Sequence, residues 1–201
     1  MPGVEPLDRS DLEDLEPLLQ AVEQVMGFVP NSMLTMARKP DLLRAFSALA
    51  GSVLGPGKLS RELKQLVAFV TSNAAGCRYC QAHTSHSAHR AGSSAEKIEA
   101  AFEYETNALF DEAERTALRL AQSAGLAPNQ STPEHFEALR EHFDDEGIVE
   151  LVAVISLFGY LNRWNDTMAT QLESEPTKFA KERLSARGWA IGKHGGLEQN
   201  S

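Results

Sequence analysis

The chain has 201 residues, 42% hydrophobic and 23% charged, with a formal net charge of −9. That is enough apolar material for one sizeable core, and an acidic balance with scattered Lys and Arg leaves no footprint for nucleic acid or an anionic membrane surface. The first residues lack a basic start followed by an apolar region, and the longest apolar run, Ile148 to Leu161, is broken by Glu150, Ser156 and Gly159, so it reads as too short to span a bilayer and a cytoplasmic location is expected.

Residues 1–10, with Pro2, Gly3 and Pro6, read as a loose start, and Ser10 with Glu13 reads as a capping box opening a helix to about Met26. Gly27-Phe28-Val29-Pro30-Asn31-Ser32 is a turn whose two apolar side chains dock on the core, after which Met33, Leu34 and Met36 restart a helical pattern. Pro40 begins another element; Leu42, Leu43, Phe46, Leu49 and Val53 follow one helix face, ended by Gly55-Pro56-Gly57. Ser60 caps the next helix, whose apolar positions include Leu63, Leu66, Val67 and Val70, and Gly76 stops it. A helix then runs from the cysteine motif to Ala91-Gly92, and Ser93 with Glu96 reads as the capping box of one reaching about Tyr104. Asp111 with Glu114 opens a helix that stops at Gly125, and Thr132-Pro133 opens another ending near Asp144. The segment Glu146 to Leu172 holds the most apolar helix, central to the fold or at a subunit contact. A last amphipathic helix lies beyond Pro176, and 195–201 reads as a frayed tail. No segment alternates like a strand. The expectation is an all-α protein, one domain over 1–201, of about nine or ten helices.

Chemistry concentrates in Cys77-Arg78-Tyr79-Cys80-Gln81-Ala82-His83, which holds both cysteines of the chain. A helix N-terminus lowers a thiol pKa and makes a nucleophile of it. In a redox reading one cysteine attacks a peroxide or disulfide and the other resolves the product to a disulfide. In a metal reading the pair supplies two zinc ligands, but the others must come from His83, His86, His89 or distant residues, and one helix cannot wrap four tetrahedral ligands. A third reading makes both thiols small buried apolar groups. The redox reading is preferred, without metal or cofactor. His83, one turn after Cys80, is placed to exchange its proton. The polar cluster Asn162 to Asp166 offers Trp164 as a pocket wall and Asn165 or Asp166 as hydrogen-bond partners of a substrate or of the histidine; as an alternative these are helix-end and interface polar groups.

At these residues the chain resembles the alkylhydroperoxidase D-like and carboxymuconolactone decarboxylase superfamily, in particular its peroxidase-related branch. The resemblance is carried by 59–64, 75–83 and Leu157-Phe158-Gly159-Tyr160-Leu161-Asn162-Arg163-Trp164-Asn165-Asp166-Thr167-Met168. It implies an AhpD-like helical fold that forms a homo-oligomer (dimer, trimer or hexamer), with Cys80 attacking, Cys77 resolving, and a histidine and a glutamate relaying protons. Two family positions differ: Thr84 stands where the histidine is usual, one residue beyond His83, and Gln65 where the glutamate is usual. Glu62, one turn before Gln65, is an alternative relay acid; it is otherwise a first-turn acid favoured by the helix dipole. The activity implied is reduction of a hydroperoxide or disulfide, reset by an external dithiol. Cofactor-free decarboxylation of a lactone acid and a non-enzymatic, redox-switched helical oligomer are the alternatives.

Overall fold

The computed structural model describes residues 2–196. Among them are ten α-helices and short 3-10 segments, with no strand. The order is α1 (Glu16–Met26), α2 (Asn31–Met36), α3 (Pro40–Leu54), α4 (Arg61–Ala74), α5 (Arg78–Arg90), α6 (Ala95–Ala100), α7 (Glu112–Gly125), α8 (Pro133–Arg140), α9 (Asp145–Met168) and α10 (Ser174–Leu184).

Helix α4 is the axis. The Ser60 hydroxyl accepts from the Leu63 N–H and satisfies a donor of its first turn. Every residue from Leu63 to Ser72 is buried, because α5, α7 and α9 all pack on it. Such enclosure forces its polar side chains to find partners inside. Lys64, 1% exposed, donates from Nζ to the carbonyls of Val53 at 3.0 Å and Gly55 at 2.8 Å, with Glu150 of α9 at 3.5 Å. One lysine therefore ties the end of α3 to α4 and α9. Gly76, at φ +74, makes the left-handed turn between α4 and α5 that a side chain would strain.

Helix α9 is 24 residues long, and by length and composition it is long and apolar enough to cross a membrane. The expectation of a span too short for that is corrected: Glu150, Ser156 and Gly159 interrupt the apolar run without ending the helix. Its apolarity has a use inside the fold, where α9 packs against α3, α4, α5, α7 and α8.

Three termini differ from expectation. The first residues are tied down: the Gly3 N–H donates to the Met168 carbonyl at 2.7 Å, and Arg9 pairs with Glu16 and Glu23. No capping box forms at Ser10; Asp8 accepts from the Ser10 N–H, and two 3-10 turns, Arg9–Asp11 and Glu13–Leu15, precede α1. Ser94, not Ser93, caps α6, since Ser93 Oγ instead donates to Glu62. The helices opened by Asp111 with Glu114 and by Thr132-Pro133 start where expected, each with a capping box, the second closed by His135. Of the tail 195–201, residues 197–201 lie outside the described residues.

Candidate functional site

Cys77 is the N-cap of α5 and Cys80 lies in its first turn. Both are free thiols, 1% and 2% exposed. The cap geometry separates their electrostatics. The Cys77 thiol is held below its ordinary value by the hydrogen bond from the Cys80 thiol; burial opposes this, and the Cys80 and Tyr79 N–H groups at the helix start add to it. Burial pushes the Cys80 thiol well up, the neighbouring Cys77 pushes it further, and Asn165 opposes with an Nδ2–H donated to Sγ at 3.5 Å. The hydrogen bond between the thiols, the burial of Cys80 and the N–H groups of the helix start together favour negative charge on Cys77 rather than on Cys80.

Cys80 forms part of the wall of a cavity of about 500 Å³ between α1, α2, α3, α4, α5 and α9, whose lining is mostly apolar. Gln65, His83 and Asn165 share that wall, and Arg61 and Arg90 are its cationic members. Cys77 is not in the lining and stands behind Cys80.

His83 is fixed on three sides. Tyr79 stacks on its ring at 4.3 Å between centroids, Phe28 meets it edge-on at 5.4 Å, and its Nε2–H donates to Glu173 Oε2 at 2.5 Å. Phe28 from the early turn therefore serves the histidine. Glu173 Oε1 accepts from the Tyr79 hydroxyl at 2.9 Å and from the Asn31 N–H at 2.5 Å. Burial raises the Glu173 carboxyl, but attraction to His83, its hydrogen bond and the backbone N–H bonds outweigh that and hold it below the usual carboxylate range. With Nε2 bonded to Glu173, Nδ1 is the ring nitrogen left to exchange a proton.

The structure brings Cys77, Cys80, His83 and Gln65 together. Asn165 joins them through its bond to Cys80, whereas Glu62, Trp164 and Asp166 are directed elsewhere. Glu62 accepts from Ser93 Oγ at 3.0 Å and has Lys97 Nζ at 3.5 Å, and it is not in the cavity wall. Trp164 stacks on Tyr160 and packs in the cluster formed with the N-terminal helices, outside the lining. Asp166 also lies outside the lining, where it pairs with Lys193 at 2.9 Å. Thr84 turns its hydroxyl to the Cys80 carbonyl at 2.6 Å. His86 and His89 pack on Phe179. Glu173 and Arg90 had no sequence signal: Glu173 is the N-cap of α10, 90 residues from its histidine, and a cap acid there looks like any other.

A buried Cys-x-x-Cys at a helix start, with an apolar cavity against its second thiol and a histidine–carboxylate pair beside it, defines a helical thiol protein of AhpD-like fold. A model of the carboxymuconolactone decarboxylase family matches residues 40–123. Two structures of the debrominase Bmp8, the apo protein and a cysteine-to-alanine variant in complex with 2,3,4-tribromopyrrole, are 41% and 40% identical to the chain. They match it with TM-scores of 0.84 and 0.85, over 89% of this chain and 96% of theirs. An AhpD-core, peroxidase-related protein from Ralstonia eutropha JMP134 is 26% identical over 89% of this chain and 95% of its own, with a TM-score of 0.78. YdfG of Bacillus subtilis is 28% identical over 109 residues, 53% of this chain and 71% of that protein. The chain belongs to the alkylhydroperoxidase D-like and carboxymuconolactone decarboxylase superfamily.

Proposed function

We propose that the protein is a dithiol oxidoreductase that reduces an apolar electrophile, with a hydroperoxide as its substrate. The observation that carries this reading is Cys80 in the wall of a cavity of about 500 Å³, beside His83 and with Cys77 behind it. Charge favoured on Cys77 leaves the proton on Cys80, and transfer of that proton across the shared hydrogen bond puts the thiolate at the cavity. Cys80 attacks the terminal oxygen of the hydroperoxide; the O–O bond breaks, the leaving alkoxide takes a proton that His83 picks up from solvent at Nδ1 and hands on while Glu173 holds its Nε2, and a sulfenic acid remains. The Cys77 thiol displaces its hydroxyl as water and closes the disulfide. The substrate gains two electrons, the thiol pair loses two, and an external dithiol restores them.

A second reading is favoured by the 40–41% identity to Bmp8 over 96% of its chain. The same thiolate takes bromine from a bromoarene, the ring carbon takes a proton, and Cys77 displaces bromide to give the same disulfide. Both readings need Cys80; a decarboxylase does not.

Reduced protein is mixed with one equivalent of an alkyl hydroperoxide and its two thiols are counted. Loss of both, abolished by Cys80→Ser, is expected, whereas Cys77→Ser should stop at the sulfenic acid. Release of bromide from 2,3,4-tribromopyrrole without hydroperoxide consumption selects the second reading. Thiols untouched by either compound would overturn both.

A further inference from the structure

On the side of Cys77 away from the cavity, one ligand atom each from Cys77, Asp166 and His194 lie within 4.8 Å of one another. The three come from separate parts of the chain: the α5 cap, the last turn of α9, and the 3-10 segment Gly192–His194. His194 is 1% exposed, and its ring is oriented by Nδ1, which donates to the Thr170 carbonyl at 2.8 Å. Its backbone is pinned too, since the Leu172 N–H donates to the His194 carbonyl at 2.9 Å. Nε2 is thereby left bearing the lone pair, buried and without a hydrogen-bond partner, 3.8 Å from Asp166 Oδ1. A buried ring nitrogen with no partner is costly, whereas a histidine with one nitrogen on a backbone carbonyl and the other turned to a thiol and a carboxylate is oriented as metal-ligating histidines are.

We propose that Cys77, Asp166 and His194 bind one zinc ion, with the fourth position open to water at the half-exposed Asp166. Sulfur, imidazole and carboxylate donors together suit zinc, which does not oxidise the thiol it binds. Zinc–ligand bonds of about 2.0–2.3 Å place tetrahedral donors about 3.3–3.6 Å apart. Closing the widest gap therefore requires a shift of about 1 Å, within reach of Asp166, whose side chain is 51% exposed. Lys193, at 2.9 Å from Asp166 Oδ1, is the cation that zinc must share the carboxylate with or displace. Binding exchanges the Cys77 thiol proton for the metal, so zinc and the Cys77–Cys80 disulfide exclude each other, and the site would make thiol oxidation responsive to zinc whatever the cavity accepts.

The test uses the whole reduced chain, zinc chloride and competition against a chromophoric zinc chelator, followed by elemental analysis after gel filtration. The expected result is one zinc per chain, lost in Cys77→Ser and His194→Ala and kept in Cys80→Ser. Should His194→Ala fail to fold, Asp166→Asn at the exposed ligand gives the answer, with affinity lowered at least the ~10-fold that loss of even an outer partner costs. Zinc should also slow disulfide formation by diamide, a two-electron thiol oxidant, about tenfold or more. No bound zinc would overturn the proposal. So would zinc that is lost in Cys80→Ser but unchanged in His194→Ala and Asp166→Asn, which is binding by the two thiols alone.

Discussion

The two cysteines are three residues apart and both buried, yet their surroundings shift them oppositely. Cys77, at the cap, sees the Cys80 thiol first and backbone N–H groups second; Cys80, one turn in, sees burial and then its neighbour Cys77. Cys80→Ala removes the donor that most lowers the Cys77 thiol, so the remaining thiol should ionise at higher pH than the first thiol of the intact pair, read from thiolate ultraviolet absorbance against pH. An unchanged midpoint would mean that the helix start alone sets it. At Glu173 the folded carboxyl titrates below its ordinary 4.5. Between the two values the unfolded chain binds the proton and the folded chain does not, so the stability Glu173 contributes is complete above about pH 4.5 and is lost as pH falls through the folded value. Glu173→Gln should flatten that acid limb in denaturant titrations. If Glu173 holds His83 for proton transfer, the same change should also lower turnover about a hundredfold, the low end for a lost acid–base group.

At the level of elements, the site depends on how α9 ends. Ala169 takes φ 49 and ψ 44, a left-handed conformation, and its N–H donates to the Asn165 carbonyl. That turn reverses the chain, so that Thr170 meets His194 and Glu173 arrives over α5 to meet His83. A side chain in this conformation costs about 1–2 kcal/mol, and glycine gives back part of the gain through the freer unfolded chain. Ala169→Gly should therefore stabilise the fold by about 0.5–1 kcal/mol, a rise of about 2 °C in melting temperature at this chain length. A drop on melting would show that the Ala169 methyl is needed where it stands.

At the scale of the molecule, α9 is buried along one side and keeps apolar residues on another: Val149 is 67% exposed, and Val152 and Tyr160 are each 39%. Single exposed apolar residues are ordinary; we propose that these three, along one central helix, form the contact of a homo-oligomer. Light scattering should give a multiple of 22.0 kDa, falling toward that value in Val149→Lys. A monomer mass for the unaltered chain would remove the expectation.

The amino-acid sequence by itself determined the helices with strong local signals: Ser60, Asp111 and Thr132-Pro133 start helices because their side chains or rings act on backbone within the same turn. It also determined the thiol motif, since three-residue spacing and a preceding Gly76 are local facts. It could not locate the partner of His83. With Gln65 at the family's acid position, Glu62 was the nearest carboxylate along the chain, yet the helix turns it to Ser93 and Lys97. The acid that reaches the histidine is Glu173, and the groups behind Cys77 are Asp166 and His194. Only the tertiary structure decided these, because helical periodicity relates residues a turn or two apart, whereas contacts across about ninety residues are set by how α5, α9 and α10 pack and by the left-handed turn at Ala169.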